Sequence, residues 1–374
     1  MNQIKCINCG FPCHKYGKTK KGTQRWQCRE CKTVFTNTID TKIKYFHQFL
    51  AWLLSGKAQD EMSVSSRTFR RNTVQFWEIW PMPPKIETHR DVVYVDGIYL
   101  GRKVCVLICY DDTHVLGWYV CRYEHAAAWE ALLQRIAAPT IVVTDGGVGF
   151  KKACKRIWKK ARIQRCLYHV FCQIKRYTTS RPKTLAGIEL YVLAKDLLAI
   201  HGIEEMKVWE ERFQNWSERY KTFLSEMTRD EYGSLRPKHE RLVKAERSLC
   251  QLVKQDILFT YLKDSLVNER KLPATNNRIE GGINAQLRAM LRNHRGLSVE
   301  RRIKAVFWWC YMRSPHPSPY DESLKVMPTD KSIARIYKDM SERETLEDMI
   351  PTWGDAIVWS DLHNYDISIT KNWD

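Results

Sequence analysis

Long apolar runs are missing from this 374-residue chain. The densest run, AVFWWCYM from Ala305 to Met312, is far shorter than the roughly 18 consecutive apolar residues that a membrane-spanning helix needs. The opening residues, MNQIKCINCG, lack the apolar core of a signal peptide. We therefore expect a cytoplasmic protein with no membrane partner.

Internal repeats and low-complexity tracts are also missing, which points to ordinary globular domains. The length suits two or three domains of roughly 100–200 residues each, and a hydrophobic share of 44% is sufficient for a core. The chain contains 13 cysteines, an odd number. In a reducing compartment, cysteines are better suited to metal binding or burial than to a disulfide framework.

Acidic side chains are missing from one long tract. Residues 146–185 contain twelve Lys or Arg and no Asp or Glu, whereas residues 314–374 contain twelve acidic and six basic residues. A concentrated basic tract attracts a polyanion, and nucleic acid is the commonest one. A solvated helix face is the alternative interpretation. Residues 314–374 are predicted to form an acidic C-terminal tail.

Two Cys-x-x-Cys pairs lie in residues 1–40, at Cys6 and Cys9 and at Cys28 and Cys31. Their spacing fits a zinc site with four thiolate ligands, and metal binding would stabilise a segment too short to have its own core. We therefore predict a zinc ribbon with one Zn²⁺. Cys13 and the adjacent histidine are competing ligands.

Residues 41–80 have apolar side chains at helical spacing, a break at Gly56, and a candidate helix cap at Ser65 or Ser66. Two or three short helices with basic side chains on the last one resemble a helix-turn-helix DNA-binding unit. Any small helical packing unit has the same pattern, so that alternative stays open. The candidate DNA contacts are Arg67, Arg70 and Arg71.

From residue 91 the periodicity changes to that of strands. Three β-rich runs, DVVYVDGIYL, KVCVLICYDD and HVLGWYVCRY, predict a meander, and TIVVTDGG and RIQRCLYH predict two further strands alternating with helices. This order predicts an α/β fold with a mixed sheet over residues 85–169. Residues 170–272 are predicted to be an all-helical insertion, and residues 273–313 to return as the closing helix.

Three carboxylates stand out by position. Asp96 lies inside an apolar strand, Asp145 follows a buried strand, and Glu280 begins a late helix. Each has a structural alternative: a buried ion pair, a turn, and a capping box with Asn277, respectively. Rival acids at Asp111 and the next residue, Asp112, lie in a predicted turn.

Together, the order of the three acids matches an RNase H-like nucleotidyl-transfer fold. Three converging carboxylates repel one another unless cations bind them, and hard Mg²⁺ or Mn²⁺ ions prefer oxygen ligands. Two such ions, roughly 3.5–4 Å apart, can activate a nucleophile and stabilise the leaving oxygen of a phosphoryl displacement. The sequence therefore predicts two metal ions per active site.

The motifs VDG, TDGG, CLYH and TNNRIEGGINAQLR resemble those of the mutator-type DDE transposases of bacterial insertion sequences. The resemblance covers roughly residues 91–313 and implies that Asp96, Asp145 and Glu280 bind the catalytic metals. It also marks Cys166 and His169, for which we expect a supporting contact beside the site. The zinc ribbon is less typical of this type.

The resemblance implies a DNA transposase that cleaves and joins DNA in the bacterial cytoplasm, at the nucleoid when bound to DNA. Its expected partners are terminal inverted repeats, target DNA and a second copy of the chain. An RNase H-like nuclease and a transposase-derived regulator are the alternatives. Trp209 or Trp216 would stack on an unstacked base or pack in the core. Further candidate DNA contacts are Lys151, Lys152, Lys155, Arg156, Arg288, Arg292 and Arg295.

Overall fold

The computed structural model describes residues 4–6, 11–36, 42–101, 104–263, 272, 274–275 and 278–344, with the side chains of 263, 278–280 and 339–344 outside the description. Within these ranges, no helix combines the length and apolar character needed to span a bilayer.

The N-terminal part is a small antiparallel sheet. Its strands, in the order in which they pair, are β1 (Cys13–Lys18), β2 (Gln24–Cys28) and β3 (Val34–Thr36). Buried cysteines at positions 6, 13 and 28 form its interior, against Trp26 and Phe35. Thiols rather than large apolar side chains therefore fill this core.

Two helices follow, α1 (Lys42–Leu54) and α2 (Ser66–Thr73), with a 3₁₀ turn over Val74–Glu78. Ser65 caps α2, because its hydroxyl accepts a hydrogen bond from the Thr68 N–H at 3.4 Å. The two helices predicted from apolar spacing are confirmed, and Ser65 is the cap.

The central sheet contains five strands in the spatial order β6-β5-β4-β7-β8. The first three along the chain pair antiparallel, the fourth pairs parallel with β4, and the fifth pairs parallel with the fourth. The predicted mixed α/β sheet is confirmed. The strands are β4 (Val92–Tyr99), β5 (Cys105–Tyr110), β6 (Val115–Cys121), β7 (Ile141–Thr144) and β8 (Arg162–Arg165).

Helices α3 (Ala126–Leu133) and α4 (Val148–Ile157) cover one face of this sheet. Alternate residues of β4, among them Val93 and Val95, point into the core on that side with Trp129 of α3. The intervening β4 residues face the opposite side, where Ile98 packs in the largest core of the chain.

The insertion is mostly helical. Its described elements are α5 (Leu167–Thr178), α6 (Leu185–Asp196), α7 (Ile203–Arg219), α8 (Lys221–Leu224), β9 (Met227–Arg229), β10 (Leu235–Pro237), α9 (Glu240–Lys254) and α10 (Thr260–Lys263). The prediction of an all-helical insertion is wrong at the β9–β10 hairpin. Asp230 Oδ1 accepts hydrogen bonds from two turn N–H groups, and Gly233 adopts a φ of +79°, so the turn closes the hairpin.

The chain returns to the sheet through a π-helix over Arg278–Asn284 and then α11 (Ala285–Asn293), α12 (Val299–Tyr311), α13 (Tyr320–Val326) and α14 (Asp330–Glu344). Helix α12 is buried along most of its length, in one core with α1 and the sheet. Its fully buried Lys304 bonds through Nζ to Asp330 and to the main-chain oxygen of Trp77, both at 2.6 Å. The start of the predicted acidic tail is therefore part of the fold.

Candidate active site

Strand register sets two of the predicted acids side by side. In the parallel pair β4–β7, Val95 lies opposite Thr144. Asp96 and Asp145 are the next residues along the two segments, and neighbouring strands lie about 4.8 Å apart. Both side chains are half-buried. The two aspartates therefore lie on adjacent segments of the sheet, Asp96 within β4 and Asp145 directly after the end of β7.

The Asp96 carboxylate is held at both oxygens. Its Oδ1 accepts the Gly97 N–H at 2.9 Å, and its Oδ2 accepts a 2.7 Å hydrogen bond from Nδ2 of Asn284. Asn284 ends the π-helix and is buried, with 1% of its surface exposed. Sequence reasoning missed its role, although it lies inside the TNNRIEGGINAQLR motif. The contact ties the strand before the insertion to the helix after it.

The Asp145 carboxylate caps its own turn. Its Oδ1 accepts the Gly147 N–H at 3.1 Å, while the Gly146 N–H donates to Thr144 Oγ1 at 3.1 Å. Gly146 has a φ of +88°, and a Cβ there would lie 2.4 Å from Nε of Arg165. The glycine in TDGG therefore permits both the left-handed turn and the close approach of the guanidinium.

Arg165 ends β8 and is buried against this turn, with 8% of its surface exposed. Burial lowers the pKa of its guanidinium, and the charge of Asp145 opposes that shift. Lys151, on α4, is also near, and burial followed by the charge of Arg165 lowers the pKa of its ammonium group. The positively charged side chains of Arg165 and Lys151 therefore lie near Asp145. Sequence reasoning counted Arg165 only as part of the basic tract.

A further acid, Glu124, follows β6 at the same edge. Burial, followed by the charge of Asp145, raises the pKa of its carboxyl group to about 7, and a hydrogen bond with Tyr99 opposes the rise. Glu124 was not predicted from the sequence, because a glutamate before a helix carries no local signal of function.

The third predicted acid lies at the margin of the described residues. The backbone of Glu280 belongs to the π-helix, which packs on β4, but its side chain and the whole of Asn277 lie outside the described part. The capping box between these two residues is therefore an untested prediction.

The Cys-x-x-His motif begins directly after β8. The Cys166 N–H donates to the Thr144 carbonyl oxygen at 2.9 Å, which sets this buried cysteine beside the Asp145 turn. His169 lies in the first turn of α5 and is half-buried. The supporting role expected of the pair stays a prediction.

Competing interpretations of other residues can be separated. Asp111 pairs with Arg90 Nε at 2.9 Å, and Asp112 accepts a hydrogen bond from the Tyr94 hydroxyl at 3.1 Å, and both aspartates lie in the β5–β6 turn.

Trp209 and Trp216 are buried in the insertion core, where their indole N–H groups bond to main-chain oxygens. Core packing is the correct interpretation for both tryptophans, and base stacking is wrong.

The predicted DNA contacts lie on three helices. Lys152 and Lys155 are exposed on α4, whereas Arg156 pairs with Glu130 of α3 at 2.8 Å. The other predicted DNA contacts are also exposed. They are Arg67, Arg70 and Arg71 on α2, Arg288 and Arg292 on α11, and Arg295 just beyond α11. Exposure of these side chains does not by itself show that they contact nucleic acid, so the DNA-binding assignment stays a prediction.

Three N-terminal thiols converge. The Sγ atoms of Cys6, Cys28 and Cys31 lie within 4.8 Å of one another, and those of Cys6 and Cys31 are 3.5 Å apart. This group could hold a metal ion. Cys9, the fourth predicted ligand, lies outside the described residues. Cys13 is buried nearby but is not part of the group of three.

The fold and site define a mixed α/β protein in which Glu124 lies against the strand that carries Asp96 and close enough to Asp145 to feel its charge, beside basic helices. Residues 102–236 match the model of the family described as "Transposase, Mutator family". The chain is also 25% identical, over 186 residues, to the transposase for insertion sequence element IS905 of Lactococcus lactis subsp. lactis (strain IL1403). The resemblance to mutator-type transposases of insertion sequences is therefore confirmed.

The alignment with the IS905 transposase covers 44% of this chain and 44% of that relative, so the chain matches less than half of the relative's length. The family match contains Glu124, Asp145, Cys166 and His169 but begins after Asp96 and ends before Glu280.

Proposed function

We propose that this protein is a DNA transposase that cleaves DNA at the ends of an insertion sequence and joins those ends to target DNA. The observation that supports the proposal is the parallel pairing of Val95 with Thr144, the residues before Asp96 and Asp145, together with the bond from Asn284 of the returning helix to Asp96. The mutator-family match and the likeness to the IS905 transposase support the same activity.

An RNase H-like core is the proposed scaffold. Counted along the chain, the sheet runs third-second-first-fourth-fifth, and the first three strands are antiparallel. Position 280 lies four residues, about one helical turn, before Asn284 in a π-helix that packs on β4. This spacing supports Glu280 as the third acid of the site.

The donors at this edge fit a hard divalent cation. Asp96 and Asp145 offer carboxylate oxygens, and the Asn284 amide holds one of these carboxylates in a fixed orientation. When bound, two Mg²⁺ or Mn²⁺ ions would activate the attacking oxygen and stabilise the leaving one. Arg165 and Lys151 add positive charge beside Asp145, where a substrate phosphate would come to lie.

The exposed basic residues would hold the DNA backbone. Lys152 and Lys155 extend from the helix that follows Asp145, and Arg288 and Arg292 from the helix that follows Asn284. Phosphate contacts of this kind give affinity that falls steeply as salt rises. Arg67, Arg70 and Arg71 on α2 are the proposed contacts to the terminal inverted repeat, together with a zinc ribbon built on the cysteine cluster.

Joining requires that two element ends meet, so we also propose that the protein acts as a dimer or larger assembly on DNA. Light scattering of the protein with an inverted-repeat duplex would test this. A complex that contains a single chain at saturating DNA would contradict it.

The activity itself is tested with the full-length chain, Mg²⁺, and a duplex that carries the inverted repeat flanking its gene. We expect cleaved ends joined to target DNA, and loss of both products in Asp96→Asn, Asp145→Asn and Glu280→Gln. Asp112→Asn is the matched control, because Asp112 is an exposed aspartate in the β5–β6 turn and is not one of the proposed ligands.

Other outcomes of this assay would indicate a different function. Cleavage without joining would indicate a nuclease of the same fold, and binding without cleavage a DNA-binding regulator. Full activity in Asp145→Asn would overturn the assignment of the acidic site.

A further inference from the structure

Glu124 is wedged between the main-chain segments that follow the two aspartates. On one side, a Cβ built on Gly97 would lie 2.5 Å from Glu124 Oε1, so the carboxylate occupies the space that any larger residue would fill. Gly97 is the residue directly after Asp96. The glycine of the VDG motif therefore has a physical purpose, since it admits this carboxylate to the edge of β4.

On the other side, Glu124 meets the helix that follows Asp145. A Cβ on Gly149, in the first turn of α4, would lie 2.6 Å from the main-chain oxygen of Glu124. Two glycines thus fix the position of one acid, and each belongs to a segment that carries a predicted metal ligand. Glu124 therefore lies in contact with the segment after Asp96 and with the helix after Asp145.

A purely structural role explains this arrangement poorly. The neighbours that act on the Glu124 carboxylate are the Asp145 charge and the Tyr99 hydroxyl, and within the described ranges Glu124 forms no salt bridge. A glutamine would bond to Tyr99 equally well without the cost of a half-buried charge beside an acid. A carboxyl group with no cationic partner at this position suits a bound divalent cation, which favours its charged form.

We propose that Glu124 is a further carboxylate of the divalent-metal site, acting with Asp96 and Asp145. The inference rests on the proposed function, because it assigns Glu124 to the same metal ions. Its oxygen atoms increase the negative charge at the sheet edge and hold Mg²⁺ or Mn²⁺ more tightly.

The test is Mn²⁺ binding to the full-length chain, measured as the loss of the free-ion signal in electron paramagnetic resonance. We expect Glu124→Gln to raise the dissociation constant at least about tenfold, and Glu124→Asp, which keeps the charge on a shorter side chain, to lose less. Glu130→Gln is the matched control, since Glu130 is a glutamate of α3 that is already paired with Arg156. Circular dichroism verifies that each variant folds.

Asp145→Asn separates the two proposals. If Asp145→Asn weakens Mn²⁺ binding while Glu124→Gln binds like the wild type, Glu124 is not part of the site and the proposed function stands. If Asp145→Asn also binds like the wild type, the metal site itself is wrong. Equal loss of thermal stability in Glu124→Gln and Glu124→Asp, with unchanged Mn²⁺ affinity in both, would show that Glu124 only supports the fold.

Discussion

Asn284 and Asp96 are 188 residues apart in sequence and are joined by a 2.7 Å hydrogen bond from the amide Nδ2 to the carboxylate Oδ2. The other carboxylate oxygen accepts the Gly97 N–H, so neither oxygen of Asp96 can rotate freely. The buried Oδ1 of Asn284 has no hydrogen-bond partner among the described residues. An amide in this position orients a carboxylate without adding charge to it.

Asn284→Ala is expected to reduce DNA cleavage about 10- to 100-fold, because an orienting contact to a metal-binding carboxylate is lost. The fold should persist, as judged by circular dichroism. Asn284→Asp is the informative contrast: a second carboxylate in contact with Asp96 should lower the melting temperature of the metal-free protein, and Mn²⁺ should restore it. Cleavage by Asn284→Ala at the wild-type rate would contradict the orienting role.

Gly146→Ala is expected to destabilise the protein more than Gly101→Ala. Both glycines have positive φ, +88° and +75°, for which a residue with a Cβ costs about 1–3 kcal/mol. At Gly101 a Cβ would meet nothing within 4 Å, whereas at Gly146 it would clash with Arg165. Urea unfolding of the two variants measures the difference, and equal losses would show that Arg165 moves away at no cost.

The cysteine cluster predicts about one zinc per chain in protein purified without chelator, measured by mass spectrometry of the metal. Cys28→Ser should lose the metal, because Cys28 is a buried member of the thiol group. Cys9→Ser should lose it equally, if Cys9 is the fourth ligand. Cys13→Ser is the control that should retain zinc; the reverse result for Cys9 and Cys13 would make Cys13 the ligand.

The buried position of His294 predicts that the free energy of unfolding decreases in mild acid. Its Nε2 donates to the Leu53 carbonyl oxygen at 2.9 Å, and burial lowers the pKa of the imidazole below its ordinary 6.5, a shift that the Leu53 bond opposes. The unfolded chain therefore binds the proton first as pH falls. Stability from this group is complete above about pH 6.5 and declines as pH drops through the lower folded pKa.

The measurement for His294 is the urea midpoint between about pH 7.5 and about pH 5.5. His294→Gln, which can still donate to Leu53, should have a flatter profile than the wild type over this interval. A wild-type profile that is unchanged by the substitution would show that other groups dominate.

Local sequence patterns were sufficient to predict much of the fold. The apolar runs around Asp96 and Asp145 predicted β4 and β7, because strand periodicity and turn residues are properties of short segments. The β9–β10 hairpin was missed, since its three-residue strands are too short for alternation to be visible.

Prediction of the site was less complete for a physical reason. Asp96 was chosen as an acid inside an apolar strand and Asp145 as an acid after a buried strand, and these two strands pair in parallel up to the residues before them. Glu124 and Arg165 could not be chosen, because each lies in space left beside a glycine that is distant in sequence, Gly97 on β4 and Gly146 in the turn after β7. Asn284 belongs to a motif that is visible in the sequence, but its contact with Asp96 is formed only by the folded chain.

The two helices near the N-terminus share one interior with the sheet. Phe46 and Phe49 of α1 pack with Trp308 of α12, and the buried Lys304 bonds to the main chain of Trp77. An isolated fragment of residues 42–80 would expose this apolar surface to water. These helices therefore cannot be exchanged between related proteins as a cassette: a transplant would need matching changes in α12, so this part of the chain is expected to diversify by surface substitutions on α2 and not by replacement.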